Sequence, residues 1–98
     1  MSEALLQAQV IQLARHLGYR YMHIHDSRKS SGAGFPDLVL AHKRTGRVIF
    51  VELKAEKGRL SPSQEEWLAV LGKRHETHLW RPEDWESGEI PRVLSEAA

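Results

Sequence analysis

Asp37, Glu52 and Lys54 are the residues of this chain whose types and spacing suit them best to chemistry. They stand in two stretches, Pro36-Asp37-Leu38-Val39-Leu40 and Val48-Ile49-Phe50-Val51-Glu52-Leu53-Lys54, that read as neighbouring strands. If Lys43-Arg44-Thr45-Gly46 is a four-residue hairpin loop, His42 pairs with Arg47 and Asp37 falls opposite Glu52. If the loop is only Thr45-Gly46, the pairing slides by two and Asp37 falls opposite Lys54. Glu52 then keeps the same face, because strand side chains alternate with period two. A three-residue loop without a bulge would turn Asp37 to the opposite face. In the first two registers the three groups converge on a candidate site for metal-dependent phosphodiester cleavage.

A phosphodiester is an anion and its hydrolysis adds negative charge, so a catalyst must supply positive charge and a deprotonated water. Mg²⁺, or Mn²⁺ in its place, supplies both, and it is satisfied by few protein carboxylates because it keeps several waters. Asp37 and Glu52 are the expected ligands, with the carbonyl of Leu53 as a third between them. Lys54 shares the face of Glu52 and is placed to hold the attacking water or to stabilise the charge that develops. Gly34 allows a sharp turn before Pro36, and the proline lacks an amide proton that would need a ladder partner. Taken singly, a Glu-x-Lys pair is usually a surface ion pair and Pro-Asp a common turn. Together they are rarer, because the charges interrupt strands that are otherwise apolar on both faces.

The elements that must position these groups follow from periodicity and caps. Ser2 precedes apolar positions Leu5, Leu6, Val10, Leu13 and Leu17 at helical spacing, with Gly18 as a stop. Tyr19 to Asp26 reads as a strand and Ser27 to Gly34 as a loop rich in serine and glycine. Leu38, Leu40, Ile49, Val51 and Leu53 on one face and Val39, Val48 and Phe50 on the other predict a sheet covered on both sides. Ser61 with Pro62 starts a second helix running to about Leu71 and ended by Gly72. Thr77 to Trp80 is a short strand, Pro82 to Trp85 a helical turn, and Ile90 to Glu96 a terminal helix. The order α-β-β-β-α-β-(α) predicts an α/β fold, a mixed sheet flanked by helices, whose second helix is a crossover.

The 98 residues form one domain (1–98) that buries roughly 60–65% of its unfolded surface. There is no cysteine, which removes disulfides and thiolate metal sites, and no apolar run longer than a strand. A net charge of +1 does not announce nucleic acid, but basic residues cluster at Arg28-Lys29, Lys43-Arg44 with Arg47, Lys57 with Arg59, and Lys73-Arg74-His75. Any one cluster alone reads as solvated surface. His23 and His25, with Asp26 nearby, invite a zinc reading, yet they lack a third spaced ligand and read better as strand residues. Trp67 and Trp80 suit core packing. Trp85 suits a half-exposed place, for base stacking, a dimer contact or capping of the core.

With these residues in place the chain resembles the PD-(D/E)XK nuclease superfamily, and within it the stand-alone virus-type replication-repair nuclease domain, VRR-NUC. The resemblance rests on Gly34-Phe35-Pro36-Asp37-Leu38, on Glu52-Leu53-Lys54-Ala55-Glu56-Lys57-Gly58-Arg59-Leu60-Ser61-Pro62-Ser63-Gln64, and on Trp80-Arg81-Pro82. It implies a restriction-endonuclease-like core with Asp37, Glu52 and Lys54 catalytic. It further implies that Gln64 borders the site and that an early helical acid, here Glu3, joins the metal shell. A first-turn acid also interacts favourably with the helix dipole, which is sufficient reason for Glu3 by itself. The implied activity is cleavage of branched DNA, four-way junctions above all, by a homodimer in the cytoplasm of a bacterial or phage-infected cell, with no membrane partner. Size points the same way, since cutting two symmetry-related strands calls for two sites about a two-fold axis. A flap, single-strand or nonspecific nuclease within a larger complex, and a non-catalytic DNA-binding module, remain as alternatives.

Overall fold

The computed structural model describes residues 1–24 and 32–96. Its elements run α1 (Glu3–His16), β1 (Tyr19–His23), β2 (Leu38–His42), β3 (Val48–Leu53), α2 (Pro62–Leu71), β4 (Glu76–Trp80), α3 (Pro82–Glu86) and α4 (Glu89–Ser95). The four strands form one mixed sheet in the order β1-β2-β3-β4. The first three are antiparallel neighbours and β4 lies parallel to β3, so α2 is the crossover that the element order predicts.

Hairpin geometry decides the register. Leu38 stands opposite Val51 and Leu40 opposite Ile49. The His42 amide donates to the Arg47 carbonyl at 2.9 Å and the Gly46 amide to the His42 carbonyl at 2.9 Å. The loop is therefore Lys43 to Gly46, with Gly46 at φ +77°, where a side chain is disfavoured. The His42 ring sets the same corner. Its Nε2 lies 3.0 Å from the Leu17 carbonyl, and its Nδ1 accepts from the Arg44 amide at 3.2 Å. Accepting at Nδ1 leaves Nε2 as the protonated nitrogen that donates to Leu17.

The two faces of the sheet differ, contrary to the expectation of full cover on both. Leu38, Leu40, Ile49, Val51 and Leu53 are buried together with Leu6, Val10 and Ala14 of α1 and Ile90, Val93 and Leu94 of α4. Leu5, which helical periodicity places in the core, is 49% exposed, and Ala14 takes a core place instead. On the other face Phe50 and Val39 are only half-buried and Val48 and Met22 are exposed. α2 covers part of this face without a single fully buried residue. β1 ends at His23, and the Ile24 amide still donates to the Asp37 carbonyl at 2.7 Å. His25, Asp26 and the segment through Ser31 lie outside the described residues.

Arg47, which in sequence belongs to a basic loop, instead ties four elements together. Its Nε and Nη2 donate to the two carboxylate oxygens of Glu76 at 2.8 and 2.7 Å. Its Nη1 donates to the Tyr19 hydroxyl and to the Val93 carbonyl, each at 3.0 Å. His78 adds a contact of 2.8 Å to Glu76. The hydrogen bonds from Arg47 hold the Glu76 carboxyl below its ordinary value. A depressed carboxyl pKa contributes stability above the unfolded value, near 4.5, and that stability is lost as pH falls through the folded value. Arg47→Ala is expected to lower Tm by about 10 °C, from the loss of roughly 2 kcal/mol of charge-assisted bonding. Glu76→Gln is expected to flatten the acid limb of the Tm against pH curve below 4.5, and an unchanged limb would refute the pairing.

Candidate active site

The segment before β2 is shaped by contacts with α2. Gly34 has φ +86°, and a Cβ there would lie 2.7 Å from Ser63 Cβ and 2.9 Å from the Gln64 nitrogen. The ring of Phe35 stands edge-on to Phe50 and to Trp67, with centroids 5.9 and 4.8 Å away. The Trp67 indole N–H donates to the Ala33 carbonyl at 3.1 Å. Trp67 is therefore half-buried between this segment and the sheet, close to the packing role that its spacing predicts. Pro36 is buried and delivers the chain to Asp37.

The register places Asp37 opposite Glu52, one step beyond the Leu38 to Val51 pair. The Asp37 Oδ2 accepts from the Leu53 amide at 2.9 Å, which orients the carboxylate toward the end of β3. Glu52 is 2% exposed, a rare place for an acid, and its Oε1 has no hydrogen-bond partner. Its other oxygen, Oε2, lies 3.9 Å from the Nζ of Lys54. Burial and the neighbouring Asp37 charge push the Glu52 carboxyl up to about 8, while Lys54 and a backbone hydrogen bond from Asp37 pull the other way. The Lys54 backbone is fixed by its amide, which donates to the Trp80 carbonyl at 3.1 Å.

Glu3 is exposed in the first turn of α1, and its charge reaches Glu52, where it adds to the upward push. Among the described residues no three His, Cys, Asp or Glu side chains converge as a ready ligand set, so neither Glu3 nor His23 completes a protein-only metal cage. Gln64 borders the Gly34 segment through its backbone, but its side chain turns back. Its Oε1 accepts from the Ser61 amide at 2.8 Å while the Ser61 hydroxyl accepts from the Gln64 amide at 3.2 Å. This reciprocal cap occupies the side-chain oxygen and leaves the amino group as the part that can face a substrate.

Arg81 has a part that its place in the resemblance did not disclose. Its Nη1 converges on the carbonyls of Ala55, Gly58 and Glu56 at 2.7, 2.7 and 3.2 Å. One guanidinium nitrogen thus closes the turn that follows Lys54. The signal available in sequence was only an arginine directly after a strand, which does not point to carbonyls more than twenty residues away.

Whether a divalent cation suits this place is decided by the donors. A buried acid with an unpartnered oxygen, held beside a second carboxylate and with only the Lys54 ammonium at 3.9 Å to balance the two, is a site short of positive charge. A hard cation with oxygen preference and few protein ligands fits that set. Asp37 and Glu52 would hold it.

A mixed sheet with an Asp at the head of one strand and a Glu-x-Lys at the end of the next defines an α/β domain of the nuclease type. The chain belongs to the VRR-NUC domain family, which matches residues 2–78. The matched range includes Glu3, Asp37, Glu52, Lys54 and Gln64 and stops short of Trp80-Arg81-Pro82. The chain is 44% identical over 46 residues to the Fanconi-associated nuclease 1 homolog of Caenorhabditis elegans. That stretch is 47% of this chain but only 5% of that protein's length. No solved structure matches the chain.

Proposed function

We propose that this chain, as a single domain over residues 1–98, is a Mg²⁺- or Mn²⁺-dependent endonuclease that cuts branched DNA, four-way junctions in particular, as a homodimer in the cytoplasm of a bacterial or phage-infected cell. The observation that carries the reading is the unpartnered Oε1 of buried Glu52 beside Asp37. Membership in a nuclease-domain family supports the reaction class. A bound cation supplies positive charge against the phosphate and lowers the pKa of a water.

Within this reading Asp37 and Glu52 hold the ion, with the Leu53 carbonyl as an added ligand. Lys54 orients the attacking water and balances developing charge from a strand end that two separate contacts hold in place. Gln64 donates to the phosphate or water through its amino group. Glu3 acts at longer range, through charge or a bound water. A non-catalytic binding module fits less well, because Lys54 reaches only one oxygen of Glu52 and leaves the acid unsatisfied. A second reading, a flap or less selective nuclease working inside a larger assembly, is favoured by the length of the relative, of which the matching segment is a small part.

The test compares a synthetic four-way junction, a flap and a linear duplex in Mg²⁺, in Mn²⁺ and in chelator, with light scattering for mass. Junction cutting that stops in chelator, by a species of twice the chain mass, is the expected outcome. Faster cutting of flap than junction by a monomer would favour the second reading, and cutting that persists in chelator would overturn both. No helix among the described residues is long and apolar enough to cross a membrane.

A further inference from the structure

The near-neutral net charge hides an uneven distribution. Residues 1–47 carry seven Lys and Arg against three acids, whereas residues 48–98 carry seven against ten. No acid lies between Glu3 and Asp26, or between Asp37 and Glu52. In the fold these two acid-free stretches come together, because Tyr19 of β1 pairs with His42 at the head of the hairpin loop and α1 packs above β1.

Where they meet, an open groove of about 600 Å³ is lined by Ile11, Gln12, Arg15, His16, Tyr19 and Lys43 among others. A second concavity continues it around the edge strand, sharing Arg15, Tyr19 and Lys43 and adding Arg20 and Tyr21. Arg15, Arg20 and Lys43 are exposed, and none of them forms an ion pair among the described residues. Arg15 and His16 at a helix C-terminus have a local reason in the helix dipole. Arg20 and Lys43 come from other elements and have no such reason.

Placement relates the groove to the candidate site. Arg20 pairs with Ala41, four residues along β2 from Asp37 and therefore on the same sheet face, whereas Tyr19 and Tyr21 lie on the opposite face with α1, so the concavity wraps the sheet edge and reaches the site's face at Arg20. Four strand residues span about 14 Å, and the five to His42 about 17 Å, close to half a turn of B-form DNA. Between them the face carries half-buried Val39 and Met22, the latter 61% exposed, so no described acid on β1 or β2 interrupts the path.

We propose that this groove binds the phosphate backbone of the duplex flanking the cut, about half a helical turn from the scissile phosphate. The occupant follows from charge complementarity: unpaired guanidinium and ammonium groups from three elements, the half-exposed Tyr21, and no carboxylate in the lining. The inference rests on the nuclease reading for the identity of the polyanion and for the position of its cut.

The experiment measures binding in chelator by fluorescence anisotropy, for the wild type and for the triple variant Arg15→Gln, Arg20→Gln, Lys43→Gln. The duplex is about 30 base pairs long, enough to reach from site to groove with a flank on either side. On this duplex the triple variant is expected to bind at least about 10-fold more weakly, with a salt slope lower by about three. Wild-type affinity and slope of the triple variant on this duplex would overturn the proposal. A thermal melt of the triple variant checks that it remains folded, and single Arg20→Gln and Lys43→Gln variants, each with a slope lower by about one, keep the test decisive if it does not. Asp37→Asn separates the two readings. Its cutting tests the site, whereas its salt slope on the duplex should match wild type.

Discussion

Replacing Glu52 by glutamine is expected to abolish cutting and at the same time to make the metal-free protein more stable. The first effect follows from removing one of two charged ligands, a loss of at least about 10³-fold in rate. The second follows from the ionisation of the buried acid. Burial and Asp37 raise its carboxyl to about 8, so between about 4.5 and about 8 the folded protein keeps a proton that the unfolded chain has released. The native state then binds more protons than the unfolded state, and stability falls as pH rises through that window. Glutamine has no charge to bury, so its gain should be near zero at pH 4 and largest at pH 8 and above. A gain of about 1 kcal/mol would raise Tm by roughly 5 °C in a chain of this length.

Metal binding works in the opposite sense and gives a second readout. A cation needs ionised Glu52, so its affinity should rise with pH across the same window, and saturating Mn²⁺ should raise the wild-type Tm most at high pH. Glu52→Gln should lose that rise. Asp37→Asn is the companion variant: its carbonyl oxygen can still accept from the Leu53 amide, so the fold should hold while cutting stops. It also removes a neighbouring charge, so the pH window of Glu52 should narrow from above. If Glu52→Gln melts lower than wild type at pH 8 without metal, the assignment of Glu52 as a buried, incompletely satisfied acid fails.

A second large effect is expected at Gly34, where the cause is steric and not electrostatic. Gly34→Ala would place a methyl carbon 2.7 to 2.9 Å from Ser63 and Gln64 atoms, two of them backbone, at a φ of +86°. Real carbon contacts do not come so close, so either α2 or the Phe35 segment must move. Left-handed backbone alone costs an alanine about 1 kcal/mol, and the displacement adds to it, for a total of roughly 2–4 kcal/mol. Because Gly34 leads directly into Asp37, a shift of about 1 Å would also lower the cutting rate by about 10²-fold. Gly46→Ala is the control, since Gly46 has φ +77° but nothing within 4 Å of a Cβ. Equal melting temperatures for the two variants would remove the case for a cradle between Gly34 and α2. Trp67 fluorescence, sensitive to its bond with Ala33, should change in Gly34→Ala and not in Gly46→Ala.

How far the sequence carries the fold is clearest at the hairpin. Period-two alternation and a loop of polar residues narrow the register to alternatives, and in two of them Asp37, Glu52 and Lys54 share a face. The backbone bond from His42 to Arg47 selects one of these, by a loop geometry that composition leaves open. The helix caps at Ser2 and Ser61 were equally legible, because a cap is a local matter of one side chain and an amide three residues on. Contacts that join distant segments were not. Arg47 reads as one basic residue among several until β4 brings Glu76 beside it. Gln64 reads as a site residue, and its side-chain oxygen proves to be used by its own helix. The depth at which Glu52 lies depends on every element around it, and alternation gives only its face.

The unequal cover of the sheet has a consequence for how such a domain could admit a bulky substrate. The floor beneath the candidate site is the fully buried face shared by α1, α4 and the central strands, where opening means exposing the whole core. The roof on the other face is α2, which buries none of its residues completely and is fastened chiefly through Trp67, Phe35 and the cradle at Gly34. Free energy of local opening follows buried apolar contact, so the amides of α2 are expected to exchange with solvent faster than those of α1. A floor held by the whole core and a roof held by few contacts would let the carboxylates keep their spacing if the entrance widened.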